Sequence, residues 1–140
     1  MSSLFDNLGI VSNGVISLSP KEAFEICHAG AILIDIREEY LNAHKTPDVP
    51  EVICLPYSQF ESAYHKLPQD KNLIIFDSSG IQGREAALFL LLRSYKYIAN
   101  MAGGFVEWER DKLAIKENIK ERLRGSCMCQ IKYRDIDSKK

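Results

Sequence analysis

The chain has 140 residues, 46% hydrophobic and 26% charged, so it can bury a sizeable core and is expected to form one domain. Its formal net charge of −1 gives no reason to expect nucleic acid or a membrane as a partner. No stretch reaches the ~18–20 apolar residues of a membrane span, and the N-terminus lacks the basic and apolar regions of a signal peptide. We therefore expect a cytoplasmic location with reduced cysteines.

The charge is distributed unevenly along the chain. Residues 1–108 contain 8 Lys and Arg against 13 Asp and Glu, whereas residues 109–140 contain 10 against 6. We interpret the basic end as a solvated helix face followed by a polar terminus. The predicted organisation is one domain over residues 1–115, with its core at 16–115, and a charged helix and Cys-x-Cys tail over residues 116–140.

In chain order, the first helix is predicted by Ser19 and Pro20, which are typical of helix starts, and it is expected to end at Gly30. Apolar runs in which few polar residues alternate with the apolar ones then indicate strands that are covered on both faces of a parallel sheet. The predicted strands cover residues 31–36, 51–55, 73–76 and 97–101.

Further helices are predicted between and after these strands. The second covers residues 58–67, and the third covers residues 84–95, where apolar residues at helical spacing predict one stripe. A short helix follows a double glycine, and a charged helix covers residues 116–124. The third helix is predicted from the apolar residues Ala87, Leu88, Leu91 and Leu92, and the short helix from Phe105, Trp108, Leu113 and Ile115.

Strands that alternate with helices predict an α/β fold with a mostly parallel central sheet of about five strands and helices on both faces. In such sheets, ligands bind beyond the carboxyl ends of the strands. Asp35 and Arg37 follow one predicted strand, and the loop 77–83 follows another. We expect both segments to border one pocket, with Asp35 and Arg37 at its rim.

The most informative segment is residues 73–87, where a buried strand leads through a glycine-containing loop into a helix. Backbone N–H groups at such a helix start form a small nest that favours an anion or an anionic nucleophile. The side chain at the mouth of this nest is Asp77. The rest of the predicted pocket loop is Ser78, Ser79, Gly80, Ile81, Gln82 and Gly83.

Three motifs over roughly residues 16–115 resemble those of the rhodanese-like family. Residues 33–38, followed by Tyr40 and His44, are similar to a signature in which Asp-x-Arg-Glu ends a strand. Residues 52–56 resemble the family's short strand ending in Ile-Pro, and residues 103–108 resemble its late Gly-Gly-x-x-x-Trp. The resemblance implies a rhodanese-like, three-layer α/β/α fold.

The family's active loop, Cys-x-x-Gly-x-Arg-Ser, aligns with residues 77–83 without a gap. Asp77 falls on the cysteine, Gly80 on the glycine, Gln82 on the arginine and Gly83 on the serine. In enzymes of the family, that cysteine accepts a sulfane sulfur from thiosulfate or a related donor and passes it to cyanide or a thiol. A carboxylate cannot hold a persulfide, and Gln82 lacks the charge that attracts an anionic donor. The resemblance therefore implies the fold without the usual reaction.

Three alternative roles remain open for Asp77. The favoured one is a fixed anion that satisfies the N–H groups of the nest and blocks outside anions. The second is a helix cap within a simple turn, which is compatible with the first. The third is a nucleophile that forms an acyl phosphate, which needs a metal and Asp35 as a partner acid. Arg84 is expected to be an exposed residue of the first helical turn rather than a cation that enters the pocket in place of Gln82.

The other sulfur candidate is the pair Cys127 and Cys129. A Cys-x-Cys pair can carry a persulfide, form a disulfide or supply two ligands to a soft metal. A metal would need two further ligands, so we predict no metal site and no cofactor. Cys27 and Cys54 are expected to be small core residues.

The leading hypothesis is a rhodanese-like domain without sulfurtransferase activity at the usual loop, acting as a binding or regulatory module for an unidentified protein or small anion. The alternative is a thiosulfate-type sulfurtransferase, or a persulfide or redox carrier, that uses Cys127 and Cys129. Neither hypothesis involves nucleic acid or a membrane.

Overall fold

The structure is a computed structural model that describes residues 4–5, 8–38 and 45–117. Four residues of the sequence analysis lie outside the described residues: Tyr40, His44, Cys127 and Cys129. Most of the helix predicted over residues 116–124 lies outside them as well.

Among the described residues, six strands form the central sheet. They are β1 (Ile10–Ser12), β2 (Val15–Leu18), β3 (Ile32–Asp35), β5 (Val52–Cys54), β6 (Leu73–Phe76) and β7 (Ile98–Met101), in the spatial order β1-β2-β7-β6-β3-β5. β1 pairs with β2 in antiparallel orientation, and every other neighbouring pair is parallel. The predicted mostly parallel α/β sheet is confirmed, and the antiparallel β1 makes it six strands rather than about five.

Within the part of the chain that the structure describes, four helices accompany the sheet. They are α1 (Pro20–Cys27), α2 (Phe60–Ala63), α3 (Ile81–Leu91) and α4 (Gly104–Arg110). α1 begins as predicted, because the Glu22 amide donates to Ser19 Oγ at 3.1 Å while the Ser19 amide donates to Glu22 Oε1 at 2.9 Å. The helix predicted over residues 58–67 is confirmed in position, but only Phe60–Ala63 is α-helical, since 3₁₀ turns at Tyr57–Gln59 and Tyr64–Lys66 flank it.

The core has two halves, one on each side of the sheet. Along β6, Leu73 and Ile75 face α3, whereas Ile74 and Phe76 face α1 and α4, where Trp108 is fully buried. Successive strand residues point to opposite faces, so a strand covered on both sides must be apolar throughout. The continuous apolar runs of the sequence therefore follow from the three-layer arrangement.

In the predicted apolar stripe of the third helix, Ala87 and Leu91 are confirmed on the core side, whereas Leu88 and Leu92 are wrong. α3 begins at Ile81, and it packs through the small residues Gly83, Ala86 and Ala87, together with Leu90. Leu88 and Leu92 instead lie at the surface, 39% and 74% exposed. Small side chains allow the helix to approach the sheet closely, and apolar residues on both sides of this helix make its spacing ambiguous.

Two pairings are absent from the sequence-based prediction. The β1–β2 hairpin turns at Asn13 and Gly14, which both have positive φ. A separate two-stranded sheet joins β4 (Lys45–Pro47) to β8 (Ile115–Glu117). Ile115 therefore belongs to a strand rather than to the short helix, and residues 116–117 do not begin the predicted charged helix. None of the helices within the described residues has the length and hydrophobicity to traverse a bilayer.

Candidate functional site

The carboxyl end of β3 is fixed by a buried ion pair between Asp35 and Arg37. Arg37 Nε donates to Asp35 Oδ1 at 3.0 Å and Nη2 donates to Oδ2 at 2.9 Å, while the Arg37 amide also donates to Oδ1 at 3.0 Å. The guanidinium lies over the Phe105 ring, 4.3 Å from its centroid. Burial raises the pKa of Asp35, and the charge and hydrogen bonds of Arg37 act against that shift. Both oxygens of Asp35 are engaged by Arg37, so Asp35 is not a free partner acid for an acyl phosphate.

The loop after β6 is closed by the side chain of Asp77. The Gly80 amide donates to Asp77 Oδ1 at 2.6 Å, and the Gln82 amide donates to Oδ2 at 3.0 Å. Asp77 is only 4% exposed, so this carboxylate is a buried acceptor that satisfies two N–H groups at the start of α3. The arrangement combines the fixed-anion and helix-cap alternatives.

The N-terminus of α4 supports the same loop from behind. The Phe105 amide donates to the Asp77 carbonyl at 2.8 Å, and the Val106 amide donates to the Ser78 carbonyl at 3.0 Å. Gly104 has a φ of +61°, and a Cβ there would collide with the backbone of Asp77 and Ser78. Glycine at position 104 is therefore required by the close approach of two backbones.

Arg37 and the Asp77 loop meet at one cavity of about 460 Å³. Its lining residues are Arg37, Glu38, Asp77, Ser78, Ser79, Ile81 and Gln82. We call this cavity the site cavity. Three residues predicted for the pocket do not line it: Asp35 is fully buried beneath Arg37, Gly80 faces a different cavity, and Gly83 is buried at the helix–sheet contact. The structure therefore brings the two strand ends together, while the roles of these residues in binding stay predictions.

Sequence reasoning missed an acidic wall beside the site cavity. Glu38 accepts hydrogen bonds from the Ser58 amide at 3.2 Å and from Ser58 Oγ at 3.0 Å. Tyr57 Oη donates to Glu85 Oε1 at 3.0 Å, and a smaller cavity of about 190 Å³ lies there, with Glu61 in its lining. Burial, followed by the Glu85 hydrogen bond and the nearby acids, raises the pKa of Tyr57. Glu38 was visible in the Asp-x-Arg-Glu motif, but nothing local in the sequence places Ser58 or Glu85 near it.

A third cavity lies on the other side of the loop, between α3 and the β1–β2 hairpin. It measures about 520 Å³ and includes Asn13, Val15, Gly80, Arg84 and Asn100 in its lining. Arg84 Nη2 donates to Ser12 Oγ at 2.8 Å and thereby ties α3 to the hairpin. Arg84 therefore does not replace a cation in the site cavity, and its side chain is half-buried rather than fully exposed.

Cys27 and Cys54 are buried, as predicted. Burial raises the pKa of the Cys27 thiol to about 12, which keeps it protonated and unreactive. Within residues 4–5, 8–38 and 45–117, no group of three or more His, Cys, Asp or Glu side chains is arranged to hold a metal ion.

Comparison with known proteins identifies the family of this chain. The profile of the Rhodanese-like domain family matches residues 19–111. The thiosulfate sulfurtransferase GlpE of Haemophilus influenzae is 32% identical over 99 residues, which cover 70% of this chain and 91% of the relative. The chain therefore belongs to the rhodanese-like domain family, and it has sulfurtransferases among its homologues.

Solved structures agree with this assignment. A polysulfide-sulfur transferase from Wolinella succinogenes superposes with a TM-score of 0.65 at 25% identity, covering 75% of this chain and 80% of that one. A rhodanese-related protein from Thermoplasma volcanium gives a TM-score of 0.66 at 19% identity and covers 71% and 96%, respectively. The similarity to the Thermoplasma volcanium protein concerns the fold alone.

Proposed function

We propose that this chain is a rhodanese-like domain that lacks sulfurtransferase activity at the usual loop and acts as a binding or regulatory module through the site cavity. In this proposal, Asp77 stands at the position of the family's sulfur-carrying cysteine and Gln82 at the position of its arginine. The resemblance of residues 77–83 to the active loop supports both assignments.

One observation carries the proposal: the Asp77 carboxylate accepts hydrogen bonds from the amides of Gly80 and Gln82. Those amides are donors that a nest of this kind offers to an outside anion or to an anionic sulfur. A carboxylate cannot carry a sulfane sulfur, and a bound carboxylate repels thiosulfate from the same place. In this proposal, the backbone donors of the loop thus serve an internal anion.

The acidic lining of the site cavity supports a partner other than a small anion. Glu38 and Asp77 line it, and the one cationic side chain among the described lining residues, Arg37, is already paired with Asp35. A partner that offers hydrogen-bond donors or positive charge fits this lining better than an anion does. We infer that the ligand is a protein segment of that character, acting on a domain located in the cytoplasm.

The alternative function remains sulfur transfer or persulfide and redox chemistry at Cys127 and Cys129. The sulfurtransferases among the homologues favour it, since a relocated thiol would retain the family's reaction. Both described cysteines are buried, so a sulfur carrier in the described residues has no accessible thiol.

A thiosulfate:cyanide sulfurtransferase assay separates these functions. The native chain is compared with Asp77→Cys/Gln82→Arg and with Cys127→Ser/Cys129→Ser. We expect the native chain to be inactive and the loop variant to gain activity, because the supporting contacts from α4 involve only backbone atoms of residues 77 and 78. Native activity that disappears with Cys127 and Cys129 would establish the alternative. Native activity that survives their loss would refute both functions.

A further inference from the structure

The cavity of about 520 Å³ between α3 and the β1–β2 hairpin has the size of a small-molecule site. We call it the hairpin cavity. Its floor lies near the carboxyl ends of the parallel strands β2 and β7, where Ser17 and Asn100 are paired in register. Ligands of parallel α/β sheets bind at such strand ends. Neither Arg37 nor Asp77 lines this cavity, so it is separate from the site cavity.

Asn100, on the floor of the hairpin cavity, carries a buried oxygen that is not satisfied. The residue is 3% exposed, and its Oδ1 has no hydrogen-bond partner among the described residues. Ile98, two residues earlier in β7, packs on the α3 side of the sheet, so the Asn100 side chain points to that side as well. Buried polar groups are normally hydrogen-bonded. This position therefore needs a donor.

The neighbours of this oxygen indicate how a donor reaches it. A Cβ on Gly83 would lie 2.5 Å from Asn100 Oδ1 and 3.3 Å from Asp77 Oδ1. It would also lie 3.5 Å from the Ile75 carbonyl oxygen, so three acceptors crowd beneath α3. The terminal torsion of asparagine is soft, and half a turn exchanges the oxygen for the NH₂ group. That turn brings a donor among the acceptors and directs the carbonyl oxygen of Asn100 to the hairpin cavity.

Arg84 supplies a positive charge at the hairpin side of the cavity. Its Nη2 donates to Ser12 Oγ at 2.8 Å and to the Ser12 carbonyl at 3.3 Å. Both acceptors are neutral, and none of the ion pairs within the described residues includes Arg84. A guanidinium has five N–H donors, so it can bind a carboxylate while Ser12 fixes its orientation. Glu85, the acid of the lining, accepts instead from Tyr57, outside this cavity.

The distance between the two groups suits a short aliphatic chain. Ser12 is the register partner of Val15, and Asn100 is that of Ser17. Two strand spacings of ~4.8 Å and two residues of ~3.3 Å along β2 separate the positions by ~12 Å. Hydrogen bonds of ~3 Å at each end leave ~6 Å for the ligand. The apolar side chains of Val15 and Leu88 in the lining favour methylene groups.

We propose that the hairpin cavity binds a straight-chain aliphatic carboxylic acid of about five carbons that carries a hydroxyl or ammonium group at its far end. The carboxylate pairs with Arg84, and the terminal donor hydrogen-bonds to the turned carbonyl of Asn100. The NH₂ group of Asn100 then faces the Asp77 carboxylate. The inference goes beyond the proposed function and does not depend on it, since it holds whether or not the loop is catalytic.

Titration of the full ¹⁵N-labelled chain with matched compounds tests the site. The compounds are δ-aminovalerate, δ-hydroxyvalerate, valerate and pentylamine. We expect the first or the second to bind with a dissociation constant of about 1 mM, as suits so small a ligand, and the tighter of the two identifies the donor. Binding should shift the side-chain amide of Asn100 and the backbone amides of Gly80 and Leu88. Valerate lacks the donor and pentylamine lacks the carboxylate, so each should bind about tenfold more weakly.

Three variants locate the contacts. Arg84→Met and Asn100→Leu should each weaken binding of the tighter compound about tenfold. Arg110→Met removes the same charge from an exposed position on α4, outside the hairpin cavity, and should leave binding unchanged. The comparison of compounds needs only the native chain, so it decides the question even where a variant fails to fold.

Four results would overturn the proposal. The first is the absence of shifts at the hairpin cavity up to about 20 mM of either compound, well above the expected dissociation constant. The second is equal binding of valerate and the donor-bearing acids. The third is a loss in Arg110→Met equal to that in Arg84→Met. The fourth is a set of shifts confined to residues of the site cavity.

Discussion

Replacing Arg37 with methionine is expected to destabilise the fold by about 3–5 kcal/mol at pH 7, because it leaves a buried charge without its partner. Asp35 is fully buried, and Arg37 supplies it with two side-chain hydrogen bonds of 2.9 and 3.0 Å and one from the backbone. Methionine preserves most of the side-chain length and the backbone donor. The change therefore removes the charge, the two side-chain hydrogen bonds to Asp35, the 2.8 Å bond from Nη2 to the Lys45 carbonyl and the contact of the guanidinium with the Phe105 ring.

The destabilisation should become smaller in acid. Burial raises the pKa of Asp35 from 3.8 and Arg37 opposes the shift, so loss of Arg37 raises this pKa further. Between the folded-state pKa of the native chain and the higher folded-state pKa of the variant, the folded variant binds a proton that both its unfolded chain and the folded native chain lack. Its free energy of unfolding therefore increases as the pH falls through this window, relative to the native chain.

Urea unfolding at pH 7 and pH 5 measures both effects. Trp108 is the single tryptophan and is fully buried, so its fluorescence reports unfolding. The double variant Asp35→Asn/Arg37→Met should recover part of the lost stability, since it removes the unpaired charge. A loss below about 1 kcal/mol, as for exposed ion pairs, or a loss equal at the two pH values, would refute the reasoning.

Three further predictions concern the loop and the core. Asp77→Ala should lower the free energy of unfolding by about 1.5–3 kcal/mol and shift the amide signals of Gly80 and Gln82, because charge-assisted hydrogen bonds to a buried carboxylate are lost. An unfolding midpoint in urea equal to that of the native chain would contradict this. Gly104→Ala should lower the free energy of unfolding clearly more than Gly14→Ala, for which ~1–2 kcal/mol of backbone strain is expected. Both glycines have positive φ, but only a Cβ at residue 104 meets backbone atoms. Equal losses of stability in urea would show that the close approach is unimportant. Burial raises the pKa of the Cys27 thiol from 9.0 to about 12, so the unfolded chain ionises first and stability falls as the pH rises through that range. The stability difference between the native chain and Cys27→Ala should accordingly shrink by about 1.6 kcal/mol from pH 9 to 10.5, and a constant difference in urea titrations would contradict it.

The sequence predicted the elements whose causes are local. The capping residues of α1 and the apolar runs of β3 and β6 are determined by neighbours in the chain, and the structure has them where they were expected. The turn of the β1–β2 hairpin was also visible in the sequence as Asn13-Gly14, a strong hairpin signal that the prediction did not use.

Other features depend on contacts that sequence spacing does not show. Lys45 pairs with Glu117 across the length of the domain, and Glu38 meets Ser58 only because β3 and β5 are neighbours. The buried face of α3 follows from the small residues that fit against the sheet, whereas helical spacing alone favoured Leu88 and Leu92. At the candidate site, the strand ends could be predicted from topology, but the acidic wall could not.

The two hydrogen bonds from α4 to the loop have a consequence for how such a domain can change during evolution. Both are accepted by main-chain carbonyls, those of Asp77 and Ser78. Substitutions at these positions can alter the chemical groups offered to a ligand without removing that support. The part of the loop framework that α4 supplies is therefore compatible with different side chains at residues 77 and 78, and hence with different ligands.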